Sequence, residues 1–357
     1  MPKVAVVRTS PQIVLEDYRR AMHLADYQDA LNTGSDLLIK LNLSWTRFFP
    51  ACSSPPWQLE GVLRTLIEDG WPRERLLPVE NKTVVTNPRK GARQNRWATV
   101  LDRYNLPFIA LPEVEWTIHH FREPLLVLDR IFPQGIEIPK MFIGRQVLHL
   151  PTMKTHGHSV MTGAVKNAFG GLLREFRHYG HKHIHEVLVD LLIMQRELHP
   201  GIFAVMDATV AGDDAGPRTM IPREVNLLLA STDSVAIDAV AAKLMGFDPL
   251  SIPFLRMADE RGLGCARTDQ IELVGEDISG VNLSFHSRRS LVIYGDQAIR
   301  RGPLRPFEKI LLHSPLVVWA PLASTLYHDW YWYPLIGSRR VRRFLRSDWG
   351  RLFLSYR

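Results

Sequence analysis

Histidines are concentrated in one stretch of the chain. Seven of the fourteen lie between residues 149 and 185. Imidazole side chains transfer protons near neutral pH or bind metal ions. Because no HExxH spacing accompanies them, three are named only as candidate metal ligands, and the alternative is a solvated polar loop before a helix. The seven are His149, His156, His158, His178, His181, His183 and His185, and the candidate ligands are His158, His181 and His183.

Polar side chains also follow four predicted strands, at the point where each strand ends. In parallel α/β sheets, ligands bind beyond the carboxyl ends of the strands, so we expect these side chains to converge on one crevice. Taken singly, each is as well explained by a helix cap or an ion pair. The strand-end residues are Lys40 and Asn42, Glu80 to Lys82, Lys154 and His156, and Asp207.

A glycine-containing turn and a predicted helix start follow the third strand end. Backbone N–H groups at a helix start bind anions, and a lysine beside them adds a point charge. We therefore predict Lys166 as a second anion clamp with Lys154, His156 as general acid or base, and Asp207 as a group that orients a cation. The predicted substrate-binding residues are Lys40, Asn42, Thr162, Gly163 and Asn167. Neither a Walker sequence nor a Rossmann fingerprint is present, and the alternative for Lys166 is a surface lysine.

Strands that alternate with helices must position these residues. Apolar runs predict buried strands, and recurring apolar positions predict amphipathic helices. Asp233 is predicted to cap a helix, and Asp238 on it to point inward and orient a lysine or histidine. The pattern indicates an α/β fold, a mostly parallel sheet with helices on both faces. Strands are predicted over 4–7, 36–40, 76–80, 107–111, 147–150, 202–207 and 226–230, and helices over 14–32, 56–69, 93–104, 184–198 and 233–245.

Several of these motifs resemble one known family. The string LPTMKTHGHSVMTGAVKNAFGGL, the earlier KLNL and the later STDSVAIDAVAAKLMGFDP are similar, in that order, to the DUF362 family, a domain of unknown function. The resemblance spans about residues 3–275 and implies the fold and the position of the site. Members of this family are often fused to ferredoxin-like cluster domains. This chain has two cysteines, so we expect no iron–sulfur cluster bound by it alone.

A second, shorter resemblance concerns chemistry. The order histidine, Thr-Gly-x-x-Lys, Gly-Gly and a later histidine is similar to the segment of nickel-pincer lactate racemases that holds their cofactor. It implies that Lys166 matches the cofactor-anchoring lysine and that His156 or His158 matches a catalytic histidine. It favours proton or hydride chemistry over phosphoryl transfer. It leaves nickel or another metal open, and the cofactor is otherwise unknown.

Positive charge is concentrated at the end of the chain. Residues 305–357 hold nine Lys or Arg residues against three acidic ones, which places six of the seven net positive charges there. We therefore divide the chain into a body, residues 1–304, built as one or two lobes, and a basic aromatic segment, 305–357. Because the body is nearly neutral and carries no reader motif, nucleic acid is not expected as a partner.

The last twenty residues have the pattern of an interfacial anchor. Apolar positions over 338–357 recur at helical spacing, with arginines on the other side, as in helices that lie on anionic membranes. The predicted membrane residues are Arg342, Arg343, Phe344, Trp349 and Phe353. The alternative is a tail that packs on the body or on a partner. Without a leader sequence or an uncharged apolar stretch long enough to span a bilayer, the chain is expected in the cytoplasm, peripheral on the membrane.

These observations predict an enzyme that transfers a proton or hydride on a small or amphipathic anionic metabolite at a membrane surface. The alternative is a non-enzymatic binding or cofactor-handling protein that docks a membrane partner. The sequence leaves the substrate and the oligomeric state open.

Overall fold

The computed structural model describes residues 1–83, 85–174, 180–300, 302–303, 305–307, 311 and 319–357. Its centre is a ten-stranded sheet in which most neighbouring strands are parallel, and β1 and β10 pair antiparallel with β11. The strand order is β12-β1-β11-β10-β7-β2-β3-β4; β8 pairs with β10 and β9, and β5 with β6 form a separate ribbon. The strands are β1 Lys3–Arg8, β2 Leu37–Lys40, β3 Leu76–Glu80, β4 Ile109–Ala110, β5 Trp116–His119, β6 Ile136–Pro139, β7 Gln146–His149, β8 Thr152–His156, β9 Val160–Thr162, β10 Ile202–Ala215, β11 Thr219–Ser231 and β12 Glu272–Gly275.

Helices cover both faces of the sheet. They are α1 Val14–Leu24, α2 Tyr27–Ala30, α3 Pro56–Glu68, α4 Pro88–Gln94, α5 Trp97–Tyr104, α6 Leu128–Ile131, α7 Ala164–Leu172, α8 Ile184–Leu198, α9 Ser234–Met245, α10 Pro253–Glu260, α11 Leu291–Arg300, α12 Trp319–Thr325, a π-helical segment Leu326–Gly337, α13 Ser338–Phe344 and α14 Asp348–Ser355. Two apolar cores result, one under α7 to α10 and one under α1, α3 and α5. The strands read as continuous apolar runs because successive side chains enter different cores: Val4 and Val6 enter one, Ala5 and Val7 the other.

The predicted α/β class is confirmed, and most of the predicted elements are present. The helix predicted over 14–32 is interrupted after Leu24. The helix predicted over 93–104 begins at Pro88 and is broken at Arg96, whose φ is 64°. The short strands β5, β6, β8, β9 and β12 were not predicted, because each lacks the long apolar run that marks a central strand. The predicted boundary at residue 304 falls on a residue outside the described part of the chain.

The C-terminal segment packs on the body, which corrects the role predicted for three of the five membrane residues, whereas Arg342 and Arg343 stay exposed. Two helices, α13 and α14, replace the single helix expected over 338–357. Phe344, Trp349 and Phe353 are buried in the core under α1 and α3, and Phe353 stacks on Phe48 with ring centroids 3.8 Å apart. The Trp349 indole donates a hydrogen bond to Asn226. Because these side chains already fill a core, their burial stabilises the fold and leaves none of the three for a bilayer. The alternative that the sequence left open, a tail packed on the body, is the one observed.

Candidate functional site

A cavity of about 320 Å³ lies where β2, β3 and β8 end. The first two turns of α7 form one wall, the turn between β10 and β11 a second, and α11 and α12 cover it. Seven of the predicted site residues line this cavity. They are Lys40, Asn42, His156, His158, Lys166, Asn167 and His181.

A buried ion pair stands at the ends of β2 and β3. Lys40 Nζ donates to Glu80 Oε1 at 2.8 Å and to the Leu41 carbonyl at 2.5 Å. Both side chains are almost fully buried. The second carboxylate oxygen, Glu80 Oε2, is buried without a hydrogen-bond partner among the described residues. An acceptor left unsatisfied at a buried position is costly, and Glu80 is one of the residues that line the cavity.

Lys154 lies behind the cavity wall and holds the lining residue Asn42 in place. Its ammonium donates to Asn42 Oδ1 at 2.6 Å, to the Cys52 carbonyl at 2.9 Å and to Thr152 Oγ1 at 2.6 Å. Burial lowers the pKa of Lys154 to about 8. Because its side chain is fully buried and does not line the cavity, the predicted clamp role is replaced by a positioning role. It fixes Asn42, whose amide in turn donates to Asn167 Oδ1 on α7 at 3.3 Å.

The hydrogen bonds of His156 determine its protonation state. The backbone N–H groups of His158 and Ser159 both donate to His156 Nδ1, at 3.2 and 3.3 Å. Burial, with a contribution from Lys166, lowers the pKa of His156 well below its usual value. The ring is therefore a neutral imidazole with its proton on Nε2. Such a ring donates a hydrogen bond to an oxyanion, as neutral histidines do in other active sites, and is poorly suited to accept a proton.

A carboxylate from α9 fixes the start of α7. Asp238 accepts hydrogen bonds from the backbone N–H groups of Ala164 at 2.6 Å and Val165 at 3.1 Å. Burial raises the pKa of Asp238 to about 7. An added Cβ at Gly163 would lie 2.0 Å from this carboxylate, so glycine is required by packing at that position. The helix start that was predicted to bind an anion is thus already occupied by Asp238, whose carboxylate holds the backbone of α7 where a lysine or histidine partner was predicted.

Two other predicted binding residues, Thr162 and Gly163, lie outside the cavity because each contacts a part of the protein instead. Gly163 faces Asp238, and the Thr162 hydroxyl donates to the Thr152 carbonyl at 3.3 Å within the β8–β9 pair. Neither lines the cavity. Asn167, one turn into α7, does line it, and its amide donates to the Lys40 carbonyl at 2.9 Å.

Cations outnumber carboxylates around the cavity. Among its described lining residues are four cationic side chains, Lys40, Lys166, Arg218 and Arg300, and two carboxylates, Glu80 and Asp296. Lys40 pairs with Glu80, and Arg300 Nε lies 2.9 Å from Asp296. Arg218 donates to Ser324 Oγ at 3.4 Å and has no carboxylate within salt-bridge distance in the described part of the chain. The described lining thus holds two more cations than carboxylates, which favours an anionic ligand.

The histidine stretch divides into cavity and non-cavity residues. His158 and His181 stack with ring centroids 5.3 Å apart, and His158 Nε2 lies 3.7 Å from Asp296. His183 instead precedes α8, half exposed near Glu186. Within the described residues, no group of three or more His, Cys, Asp or Glu side chains is arranged to hold a metal ion. His178 lies outside the described residues, and the predicted metal stays an untested expectation.

Asp207 is not part of this site, which corrects its predicted role. Its carboxylate accepts hydrogen bonds from Tyr18 at 2.5 Å, Trp57 at 3.1 Å and Thr209 at 2.8 Å. Burial raises its pKa to about 6. Side chains alternate along β10, and Asp207 points to the face covered by α1 and α3, whereas Lys40 packs beside Gly171 of α7 on the other face.

Several cavity residues escaped the sequence analysis. Glu80 was noted at its strand end but given no role. Arg218 lies in the β10–β11 turn, and its signal was the Gly-Pro-Arg string after a long apolar strand. Arg300 and His328 come from segments distant in sequence, and no local pattern connects them with the strand ends. His328 Nδ1 donates to the Ser324 carbonyl at 2.8 Å, and burial lowers the pKa of His328 to about 3.

Comparisons with known proteins place this site in a family. A thylakoid-associated protein of Synechocystis is 32% identical over 124 residues, which are 33% of this chain and 37% of that protein. A Thermotoga maritima crystal structure superposes with a TM-score of 0.43 at 9% identity, covering 70% of this chain and 59% of that one. The lactate racemase apoprotein of Thermoanaerobacterium thermosaccharolyticum superposes with a TM-score of 0.40 at 11% identity, covering 68% of this chain and 56% of that one. Both structures are too distant to inform on chemistry.

The chain spans little more than a third of the length of the curated relative it matches. The family model of DUF362, a domain of unknown function, matches residues 37–243, more than half of the chain. This range contains every predicted catalytic and substrate-binding residue, from Lys40 to Asp207. The family predicted from the sequence motifs is therefore confirmed, and the chain belongs to the DUF362 family.

Proposed function

We propose that this protein is an enzyme that binds a small or amphipathic anionic metabolite in the cavity and moves a proton on it. The four cations against two carboxylates among the described lining residues carry this proposal. Arg218 and Lys166 are the residues suited to bind a carboxylate or phosphate group, because a cation in a site of low polarity interacts more strongly than one in water. The apolar wall, with Phe169, Pro217 and Ile293, suits the hydrocarbon part of the ligand.

Proton transfer is favoured over hydride transfer by two groups that line the cavity, Glu80 and His156. We assign the general base to Glu80, because it lines the cavity and its Oε2 has no hydrogen-bond partner in the described part of the chain. His156 presents an N–H donor that stabilises negative charge as it develops on a carbonyl or carboxyl oxygen. In the proposed step, Glu80 takes a proton from a carbon next to that group, the electron pair moves onto the oxygen held by His156, and the proton returns to the carbon. Asn42 and Lys154 keep the wall in place.

The test of binding uses a panel of carboxylates and phosphates, added one by one, with the thermal midpoint of unfolding as readout. Compounds that bind raise the midpoint. Lys166→Met and Arg218→Met should each weaken the apparent affinity about tenfold or more, since each removes a hydrogen bond to a charged group. Lys140→Met and Arg256→Met, on exposed surface, are the matched controls and should change nothing. Binding that survives both cavity variants would place the ligand elsewhere.

A membrane location is the second part of the proposal. The matched Synechocystis protein is named for its association with thylakoids, and the C-terminal segment is strongly basic. Within the described residues, no helix is both long and apolar enough to cross a bilayer. Attachment would therefore be peripheral. Fractionation of cells into membrane and soluble parts, with and without a high-salt wash, tests this location. Recovery in the soluble fraction at low salt would contradict it.

The alternative function is a non-enzymatic binding or cofactor-handling protein that docks a membrane partner. In this alternative the same cavity and the same cations bind the ligand, but no proton is transferred. A ligand that binds but exchanges no proton with solvent would favour it.

A further inference from the structure

One exposed stripe runs along the C-terminal helices, and its composition changes from apolar to basic. Its first half, on α12 and the π-helical segment, consists of Leu322, Leu326, Trp330 and Leu335, which are 60%, 52%, 75% and 51% exposed. Its second half consists of the exposed residues Arg339, Arg342, Arg343 and Arg346. Successive members are three to five residues apart, except for the adjacent pair Arg342 and Arg343. That spacing keeps them on one side of a helix whose middle part is wound as a π-helix.

The opposite side of the same helices is occupied. Pro321, Ser324 and His328 line the cavity, while Trp332, Val341 and Phe344 are buried in the core. The stripe is therefore the side that the fold leaves uncovered. Large apolar side chains held at the surface in this way mark an interaction site.

Charge decides which partner the stripe fits. The salt bridges among the described residues leave all four arginines of the stripe unpaired. A second copy of this chain would bring like charges together across a two-fold contact. An anionic bilayer satisfies both halves at once, because its interface takes up tryptophan and leucine while its headgroups attract arginine.

We infer that the exposed stripe binds an anionic membrane surface and that the cavity takes its ligand from that surface. This inference rests on the proposed function for the identity of the ligand. Since α12 carries stripe residues on one side and cavity residues on the other, docking brings the cavity close to the headgroups. An anionic amphiphile then enters with its charged group toward Arg218 and its chain along Ile293 and Pro321.

The test is co-sedimentation with vesicles of phosphatidylcholine alone or mixed with phosphatidylglycerol. The wild-type protein should sediment with the mixed vesicles, and less so as salt rises. Trp330→Ser with Leu335→Ser, and separately Arg342→Glu with Arg343→Glu, should each lower the partition coefficient about tenfold or more. Ile118→Ser, and Arg256→Glu with Arg261→Glu, make the same kinds of change on other exposed surface and should leave sedimentation unchanged. Unaltered thermal midpoints show that each variant folds.

The outcomes separate this inference from the proposed function. Arg218→Met should keep vesicle binding and lose ligand binding, whereas the stripe variants should lose vesicle binding and keep the binding of a soluble short-chain ligand. Wild-type protein that stays in the supernatant, or stripe variants that sediment like the wild type, would overturn the inference. Light scattering that shows a dimer formed through the stripe, in protein that binds no vesicles, would also overturn the inference.

Discussion

Asp207 is the residue whose observed surroundings depart furthest from the role that a strand-end position suggests. Its carboxylate receives four hydrogen bonds, from Tyr18, Trp57 and Thr209, and does not touch the cavity. Asp207→Asn replaces one of the two acceptor oxygens by an amide group that donates. Either Tyr18 and Trp57, or the two donors of Thr209, then lose their acceptor. We expect a loss of about 1–3 kcal/mol in the free energy of unfolding, measured in urea, with ligand affinity unchanged. A variant that is stable but no longer binds would restore Asp207 to the site.

Residue types were easier to predict than residue directions. Lys40, Asn42 and Lys166 were identified because each follows an apolar strand or starts a helix. Lys154 has the same sequence context, yet its ammonium turns inward to Asn42, Cys52 and Thr152. Which way a strand-end side chain turns depends on acceptors brought from elsewhere in the chain, and a single sequence does not display them.

At the scale of elements, α7 depends on α9 for its position. Asp238→Ala removes the acceptor of two buried N–H groups at the start of α7. We expect a loss of about 1–3 kcal/mol in unfolding free energy together with weaker ligand binding, because α7 carries Lys166 and Asn167. Urea unfolding and ligand titration of the same sample check both effects.

The matched control is Asp233→Ala. Asp233 caps α9, as predicted from the sequence, and accepts from the N–H groups of Val235 and Ala236. Its loss should destabilise the protein to a similar extent and leave ligand affinity unchanged, since α9 contributes no lining residue. Equal loss of affinity in both variants would mean that stability alone, and not the position of α7, governs binding.

Secondary structure was predictable wherever one element's own residues determine it. The helix predicted over 184–198 and the cap at Asp233 are both observed. Helical structure in the tail was also predicted, although as one helix where the structure has two. The surface that the tail buries was not predicted, because the partner rings Phe48 and Trp57 lie about three hundred residues earlier in the chain.

For the whole molecule, buried histidines should make the fold sensitive to acid. Burial lowers the pKa values of His149, His158, His199 and His328 to about 3 or 4, and that of His156 as well. These rings bind protons below pH 6.5 only when the chain unfolds. Asp207 and Asp238 act in the opposite direction, because their raised pKa values let the folded state hold protons that the unfolded state releases.

The two effects can be weighed by counting protons. Near pH 5, these five histidines gain a proton on unfolding and these two carboxylates lose one, a net uptake of about three from the seven groups. Other carboxylates act in both directions, because the pKa is raised in Asp17, Asp190 and Asp233 and lowered in Glu68, Glu113, Glu197 and Asp277. Since the unfolded state binds more protons, stability falls as pH decreases from 6.5 toward 4. Urea midpoints at pH 7.5, 6 and 5 should decrease in that order. A midpoint that rises toward pH 5 would show that the carboxylates dominate.

Solvent proton exchange measures whether Glu80 moves a proton on the bound ligand. A ligand that raises the thermal midpoint is incubated with the protein in D₂O, and the proton NMR signal of the carbon next to its anionic group is followed. The account predicts that the signal disappears with wild-type protein and that Glu80→Gln slows this loss about a hundredfold or more, while Glu113→Gln, at an exposed position, has no effect. Glu80→Gln should still bind the ligand. A bound ligand whose signal persists with wild-type protein, or is lost equally fast with Glu80→Gln, would contradict proton transfer by Glu80.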